Sequence, residues 1–277
     1  MASENFTLTE DGVEIAFDDR GRGPAVIWLH GITDDRTFWT PVTSRLVDQL
    51  RCIRIDLRGH GRSASQGPYS TGFVSDLAAV IRATGLRAPL VVGHSLGGVV
   101  ATIAAAAGVT GPVVCVDQPL KLATFAKLIR GHAPRLRDPA TYADTILEEK
   151  LALGMGLVPA ALLPDLESRT RASNQEVILD VWRPILDDDL AEVAATERTL
   201  AEALGSIDVP YLALHSTPLE DGYEEWFRTV NPSATFEFWP KLGHWLYLVD
   251  PGRFVDRIQR FVEASGYGGH GNLSSPP

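Results

Sequence analysis

The chain has 277 residues, of which 45% are hydrophobic and 22% charged, so it can bury one large domain with an insertion or two smaller domains. Its net charge of −10 argues against a surface that binds nucleic acid or an anionic membrane. The first residues lack the basic and apolar regions of a signal peptide, and no apolar run approaches a membrane span in length, so we expect a soluble, cytoplasmic protein.

The first part of the chain alternates between predicted strands and helices. Residues 5–18 alternate around Asp11-Gly12, which favours two antiparallel strands joined by a tight turn. Continuous apolar runs predict buried strands at 25–29, 52–57, 89–92 and 113–116, with helical patterns between them at 41–50, 73–84 and 99–107. This order is typical of a mostly parallel sheet with helices on both faces.

The pattern changes after Asp117. Residues 118–195 contain no buried-strand pattern, and helices are predicted there at 121–129, 142–153 and 177–193. Strands resume at 211–215 and 235–239, with helices at 223–230 and 252–264. We therefore expect an α/β core of residues 1–117 and 196–265, a helical cap of residues 118–195 over the carboxyl ends of the strands, and a disordered tail at 266–277.

A Gly-x-Ser-x-Gly pentapeptide, Gly93 to Gly97, joins a predicted strand to a predicted helix. In that context the central residue, Ser95, stands on a tight, strained turn with its hydroxyl exposed, which is the arrangement of a nucleophile elbow. The N–H of Leu96, at the start of the helix, points to where an oxyanion would form. The sequence therefore predicts Ser95 as a nucleophile and Leu96 as an oxyanion donor.

A serine nucleophile needs an adjacent base. His244 follows the last predicted strand and precedes the last predicted helix, which is where the base belongs in the order nucleophile, acid, histidine. His30 and His60 lie in glycine-flanked turns and are predicted to make structural hydrogen bonds, and His94 lies inside the elbow.

Neither a metal site nor a disulfide is predicted. No pair of histidines has the spacing of metal ligands. The two cysteines, Cys52 and Cys115, lie in apolar runs, so we expect reduced residues in the core.

Four segments together resemble the α/β-hydrolase superfamily: His30-Gly31, Asp56 to Ser63, Gly93 to Gly98 and Gly243-His244. The resemblance covers about residues 1–117 and 206–265. It implies an α/β-hydrolase fold with an inserted cap, catalysis without a cofactor, and a second oxyanion donor in the turn after strand 25–29. We assign that donor to the N–H of Ile32 and expect Gly31 to contact the substrate. Residues 56–63 have no catalytic role in the family.

The acid departs from the commonest pattern of the superfamily, a Gly-x-x-Asp turn after the strand at 211–215. Ser216 replaces the glycine, Leu219 stands where the carboxylate is expected, and Glu220 and Asp221 are displaced by one and two residues. These two acidic residues could equally be charges at a helix amino terminus.

The other candidate for the acid is Asp117, at the end of strand 113–116. A carboxylate that ends a buried strand is costly without a partner, and His244 would supply one. Certain haloalkane dehalogenases and the fungal zearalenone lactonases place the acid there. The segment from Cys115 to Leu122 is similar to the acid-bearing segment of the lactonases, which carries Glu at the aligned position. We favour Asp117 over Glu220 and Asp221.

The resemblance extends to the cap, where Trp182 looks like a tryptophan that lines the lactonase pocket, although an aromatic residue at helical spacing can equally be core. We predict a cofactor-free serine esterase or lactonase, a monomer or homodimer, that acts on a small apolar molecule. The alternatives are a carbon–carbon bond hydrolase, a cofactor-free oxygenase or perhydrolase, and a receptor for a small molecule. Serine rather than aspartate at position 95 argues against a haloalkane dehalogenase.

Overall fold

The computed structural model describes residues 4–267, in which eight strands form one sheet in the order β1-β2-β4-β3-β5-β6-β7-β8. The strands are β1 Glu4–Leu8, β2 Glu14–Arg20, β3 Ala25–Leu29, β4 Arg51–Ile55, β5 Leu90–His94, β6 Val113–Val116, β7 Tyr211–His215 and β8 Thr235–Phe238. β2 pairs antiparallel with β1 and β4, and the remaining pairs are parallel. The predicted mostly parallel sheet is confirmed.

The helices flank this sheet, but the helix predicted at 41–50 ends at Thr43 and continues as turns. Before the insertion they are α1 Thr40–Thr43, α2 Phe73–Ala83 and α3 Leu96–Ala106; within it, α4 Ala123–Arg130, α5 Ala133–Arg137, α6 Pro139–Ala152, α7 Leu163–Arg171, α8 Gln175–Val181, α9 Arg183–Leu186 and α10 Leu190–Ser206; after it, α11 Tyr223–Val230, α12 Leu246–Val249 and α13 Pro251–Ala264. Short 3-10 helices lie at Arg36–Trp39 and Met155–Leu157.

Both faces of the sheet are covered by apolar side chains. Along β3, Val26 and Trp28 join one buried cluster while Ile27 and Leu29 join the other. The first cluster contains residues of α1, α12 and α13, and the second contains residues of α2, α3 and α11. Because alternate side chains of a strand point to opposite faces, a strand buried on both faces must be apolar throughout. This explains the continuous apolar runs in the sequence.

The inserted segment differs in detail from its prediction. The single helix predicted at 177–193 is divided into α8, α9 and the start of α10. Pro184 stands at the first turn of α9, the one part of a helix where its missing N–H is tolerated, and Asp188 has a positive φ of 58°. Helices α5 and α7 were not predicted.

The boundary predicted at residue 195 falls inside α10. Val193 packs in a separate cluster formed within the inserted helices, whereas Leu200 and Leu204 pack against the sheet cluster that contains α3. One helix therefore contributes to both parts. Of the tail predicted as disordered, residues 268–277 lie outside the described residues.

Cys52 and Cys115 are both free and buried, and burial raises the pKa of each thiol to about 12. Among residues 4–267, no helix is long and apolar enough to cross a membrane.

The glycine-rich turn after β4 is held by a buried ion pair. Both side chains of Arg58 and Asp76 are fully buried, with Nη2 of Arg58 2.7 Å from Oδ1 of Asp76. The backbone N–H of Arg58 also donates to Asp76, at 2.9 Å, and Asp11 receives the other edge of the guanidinium. Removal of one member would leave a buried charge without its partner.

We expect Asp76→Asn to lower the free energy of unfolding by about 3–5 kcal/mol, because it leaves the buried Arg58 guanidinium with only the partly exposed Asp11 as a counter-charge. The control is Glu224→Gln, which breaks the exposed pair with Arg228 one helical turn away and should cost less than about 0.5 kcal/mol. Urea unfolding measures both. Similar small losses for the two variants would contradict the structural role of the Arg58–Asp76 pair.

Candidate active site

The turn between β5 and α3 places Ser95 in a strained conformation, with φ 50° and ψ −121°. Two glycines make this turn possible. A Cβ atom on Gly93 would lie 2.1 Å from the carbonyl oxygen of Gly97, and one on Gly97 would lie 2.5 Å from that of Leu29. A side chain at either position would therefore collide with backbone. The half-buried Ser95 stands at the carboxyl end of the central strand, as the elbow motif predicts.

Asp117 follows β6 at the same edge of the sheet and is fully buried. It also has a positive φ, of 48°. Its Oδ1 accepts hydrogen bonds from the backbone N–H groups of Ser216, at 2.6 Å, and Thr217, at 3.1 Å. Its Oδ2 lies 3.0 Å from the Thr217 hydroxyl and 2.7 Å from Nδ1 of His244. Every donor comes from another segment of the chain.

These contacts favour the ionised carboxylate. Burial on its own would raise the pKa of Asp117, but the hydrogen bond and charge of His244, with the N–H of Ser216, outweigh burial and lower it. An ionised carboxylate only accepts hydrogen bonds, so Nδ1 of His244 carries the proton. In the neutral ring, Nε2 then keeps its lone pair, which is what a general base requires.

The backbone of His244 is bonded on both sides. Its N–H donates to the carbonyl oxygen of Leu153, at 2.9 Å, and its carbonyl accepts from Nε2 of His94, at 3.0 Å. The centroids of the His94 and His244 rings are 4.4 Å apart. Because His94 directly precedes Ser95, this contact brings the elbow and the His244 loop together.

The two alternative acids lie elsewhere. Glu220 forms an ion pair with Lys121, with Oε1 2.7 Å from Nζ. Asp221 is exposed in the turn before α11. The structure thus places Asp117 against His244, and neither Glu220 nor Asp221 contacts that histidine.

The turn after β3 lies beside the elbow. The N–H of Asp34 donates to the carbonyl of Gly31, at 3.1 Å, which closes the turn around the half-buried Ile32. A Cβ atom on Gly31 would lie 2.9 Å from Nδ1 of His94, so no side chain fits there. The close approach of Gly97 to this turn brings the start of α3, with Leu96, next to it.

The turn also packs, through Ile32, against an apolar cluster of the inserted helices. Trp182 directly follows α8 and packs edge-on against Phe125, with ring centroids 5.3 Å apart. Both rings are half-buried and, together with Ile32 and Leu122, pack against the cluster formed within the inserted helices. Ile32 and Trp182 therefore pack against the same apolar cluster.

A sequence model of the Alpha/beta hydrolase family matches residues 26–257. The chain belongs to the α/β-hydrolase family. The match covers the sheet from β3 onwards and spans Ser95, Asp117 and His244. The resemblance stated from the sequence motifs is thereby confirmed.

Known proteins of several activities are similar to this α/β hydrolase. An esterase from Rhodococcus sp. ECU1013 superposes with a TM-score of 0.77 at 23% identity, over 95% of this chain and 100% of its own. An enol-lactonase from Burkholderia xenovorans LB400 superposes with a TM-score of 0.75 at 16% identity, over 94% and 100%. A non-heme chloroperoxidase from Burkholderia pyrrocinia is 27% identical over 94% of this chain and 99% of its own. At these identities the two structures establish a common fold.

Sequence reasoning missed three buried residues near the site of this α/β hydrolase. Lys150 of α6 forms a buried ion pair with Asp34, with Nζ 2.6 Å from Oδ1. His215, at the end of β7, stacks on Phe236 beside Asp117, and burial lowers its pKa to about 4. The sequence signal for Asp34 is its position directly after the predicted oxyanion turn. Lys150 has none, because its partner lies 116 residues away.

If Asp117 orients the His244 ring, Asp117→Asn should reduce turnover at least hundreds-fold. The asparagine amide can donate a hydrogen bond to Nδ1 and so favour the tautomer whose Nε2 cannot accept a proton, a change that costs about 10⁴ in serine proteases. The measurement is kcat for p-nitrophenyl acetate, with folding checked by circular dichroism.

The matched controls are Glu220→Gln and Asp221→Asn, which should keep most of the activity since neither side chain contacts His244. The reverse result, with a nearly active Asp117→Asn and an inactive Glu220→Gln or Asp221→Asn, would make the assignment of Asp117 wrong.

Proposed function

We propose that the protein is a serine hydrolase that cleaves a carboxylic ester or lactone of a small, largely apolar molecule without a cofactor. The observation that carries this proposal is the 2.7 Å contact between Nδ1 of His244 and buried Asp117, next to a strained serine at the elbow. Family membership supports it. The combination supplies a nucleophile, a base and a group that fixes the tautomer of the base.

In the proposed reaction, the hydroxyl oxygen of Ser95 attacks the acyl carbon while Nε2 of His244 takes its proton. The negative charge that develops on the carbonyl oxygen is held by the N–H groups of Ile32 and Leu96, each worth about 3–4 kcal/mol in the transition state. The protonated His244 then gives its proton to the leaving alkoxide, which departs as an alcohol or, from a lactone, stays attached to the acyl group. Asp117 remains ionised throughout and stabilises the imidazolium.

The second half of the reaction repeats these steps with water. His244 takes a proton from a water molecule, whose oxygen attacks the acyl carbon of the acyl-enzyme. The bond to Ser95 breaks, and the serine oxygen recovers the proton from His244. The products are a carboxylic acid and the free enzyme.

The preference for an apolar substrate rests on the side chains between sheet and inserted helices. Ile32, Leu122, Phe125 and Trp182 are half-buried, apolar and packed around one cluster that reaches the proposed oxyanion turn. An apolar acyl or alcohol group that covers them gains about 25 cal/mol for each Å² of apolar surface removed from water. We expect Gly31 to contact the same group from the floor of the site.

The similarity to a chloroperoxidase favours one second candidate, perhydrolysis. Hydrogen peroxide would replace water in attack on the acyl-enzyme, and the product would be a peroxy acid in place of the carboxylic acid. The same residues would act in the same roles. Peroxy-acid formation from an ester and hydrogen peroxide, measured beside ester hydrolysis, separates the two candidates.

The proposed nucleophile predicts covalent labelling. A fluorophosphonate should add its mass to the peptide that contains Ser95, and Ser95→Ala should abolish both the label and the hydrolysis of a panel of esters and lactones read by product mass. A Ser95→Ala variant that is folded and still hydrolyses the panel would rule out nucleophilic catalysis by this serine. A label on a different serine would move the site.

The proposed substrate contact of Trp182 predicts a size-dependent loss. Trp182→Ala should raise KM tens-fold for a bulky apolar ester but much less for an acetate ester, because burial of an aromatic side chain is worth about 1.5–3 kcal/mol. Leu157→Ala, at an exposed apolar residue of the same inserted segment, is the control and should change neither value. Equal losses on both esters would assign Trp182 to core packing.

A further inference from the structure

The inserted helices contact the backbone of His244 directly. Leu153 directly follows α6, and its carbonyl oxygen accepts the N–H of His244 at 2.9 Å. The His244 carbonyl is held from the opposite side by Nε2 of His94, at 3.0 Å. Both backbone hydrogen-bonding groups of this residue are therefore bonded to other segments, and one of those segments is the end of α6.

The contact between α6 and the His244 loop is a close approach of two backbones. Gly154 and Gly243 both have positive φ, of 95° and 65°. A Cβ atom on Gly154 would lie 3.0 Å from the Cα atom of Gly243, and one on Gly243 would lie 3.1 Å from the Leu153 oxygen. A side chain at either glycine would push the Leu153 carbonyl away from His244.

The same helix end carries a buried cation. Nζ of Lys150 lies 2.6 Å from Oδ1 of Asp34 and 3.0 Å from the hydroxyl of Thr170. The side chains of Lys150 and Asp34 are 6% and 1% exposed, so solvent does not screen them. The second oxygen of Asp34 lies 3.2 Å from the indole N–H of Trp245 and 3.5 Å from Nδ1 of His94.

The His94 ring therefore lies between Asp34 and the His244 carbonyl. Because a carbonyl only accepts, Nε2 of His94 carries a proton, and Nδ1 of the neutral ring presents its lone pair to Asp34. Burial lowers the pKa of His94, and the neighbouring His244 lowers it further, which also favours the neutral ring. The charge of Lys150 balances Asp34, so His94 need not take up a proton to do so.

Other ionisable groups also face this ring. His30 approaches from the turn after β3, Asp117 from the end of β6, and Tyr247 packs edge-on at 5.1 Å between centroids. Among these neighbours, only Asp34 and Asp117 favour the protonated ring, and Asp117 is already bonded to His244.

We propose that the carboxyl-terminal end of α6 positions His244 for catalysis: the Leu153 carbonyl holds its N–H, and Lys150, paired with Asp34, keeps neutral the His94 ring that donates to its carbonyl. Lys150 and Gly154 are then positioning residues, and the inserted segment is part of the catalytic apparatus as well as a cover. The proposal rests on the proposed role of His244 as the base. It explains why a lysine is buried against Asp34, the carboxylate that faces the histidine directly before the proposed nucleophile.

The first test removes the cation. In Lys150→Met, His94 is the nearest group that can give Asp34 a counter-charge, so the pKa of His94 should rise in an NMR titration of the imidazole signals. A charged His94 beside His244 opposes the imidazolium that forms during the reaction. We expect kcat for p-nitrophenyl acetate to fall about 10- to 100-fold, more at low pH than at high pH, with little change in KM.

The double variant Asp34→Asn/Lys150→Met separates charge from packing, because it removes both partners of the buried pair. The titration of His94 and most of the lost kcat should return. The control for loss of an ion pair on α6 is Arg135→Met, which breaks an exposed pair with Glu148 and should change neither quantity.

A second, independent test acts on the backbone contact. Gly154→Ala should lower kcat about 10- to 100-fold by displacing the Leu153 carbonyl, since small displacements of a reacting group have effects of that size. Gly156→Ala is the matched control, because a Cβ atom there meets nothing within 4 Å. This pair keeps the proposal testable if Lys150→Met does not fold.

The outcomes that overturn the proposal are distinct from those that overturn the proposed function. An unchanged His94 titration in folded Lys150→Met, or an unchanged kcat in Gly154→Ala, makes the proposal wrong. The titration requires no substrate. A wild-type protein that turns over none of the esters or lactones would therefore contradict the proposed function, while the His94 measurement still decides the role of Lys150.

Discussion

The buried carboxylate of Asp117 sets the requirement that the site depends on. A charge removed from water at the end of a parallel strand is stable only if several donors replace the water. The donors here are two backbone N–H groups and a hydroxyl from the turn after β7, and the imidazole of His244 from the loop after β8. Three consecutive strands must therefore end in register at one edge. The contacts of Asp117 therefore depend on the alignment of these strand ends by the sheet.

This requirement also explains the unusual turn after β7. In the commonest pattern of the superfamily that turn carries the acid, whereas here Ser216 and Thr217 donate hydrogen bonds to Asp117, which follows β6. Where the commonest pattern has a carboxylate that accepts a hydrogen bond, this turn therefore supplies hydrogen-bond donors. Glu220, which follows the same turn, pairs with Lys121 at the start of the inserted segment.

What the sequence could predict follows from the range of the interactions involved. The strands and the elbow depend on local patterns, and β3, β6 and β7 begin and end where the apolar runs do. The preference for Asp117 rested on the cost of burying a charge, together with the resemblance of its segment to the acid-bearing segment of the lactonases. The predicted helix at 177–193 is divided, and α10 packs in two different clusters. Both features depend on tertiary packing, which the helix propensities of the residues do not report. Lys150 and Asp34 are 116 residues apart, so no local pattern connects them.

The inserted segment contacts the core both through half-buried polar residues and through a buried ion pair. The half-buried Asp180 of α8 accepts hydrogen bonds from the backbone N–H groups of Tyr69 and Ser70, at 2.9 and 2.8 Å. Near the elbow, the pair of Lys150 and Asp34 is buried, and the cost of desolvating two charges cancels most of their attraction, so the pair adds little net stability. It nevertheless disfavours every other position of the inserted segment, because each would leave a buried charge unpaired. The pair thus fixes the segment at the point where its backbone bonds to His244.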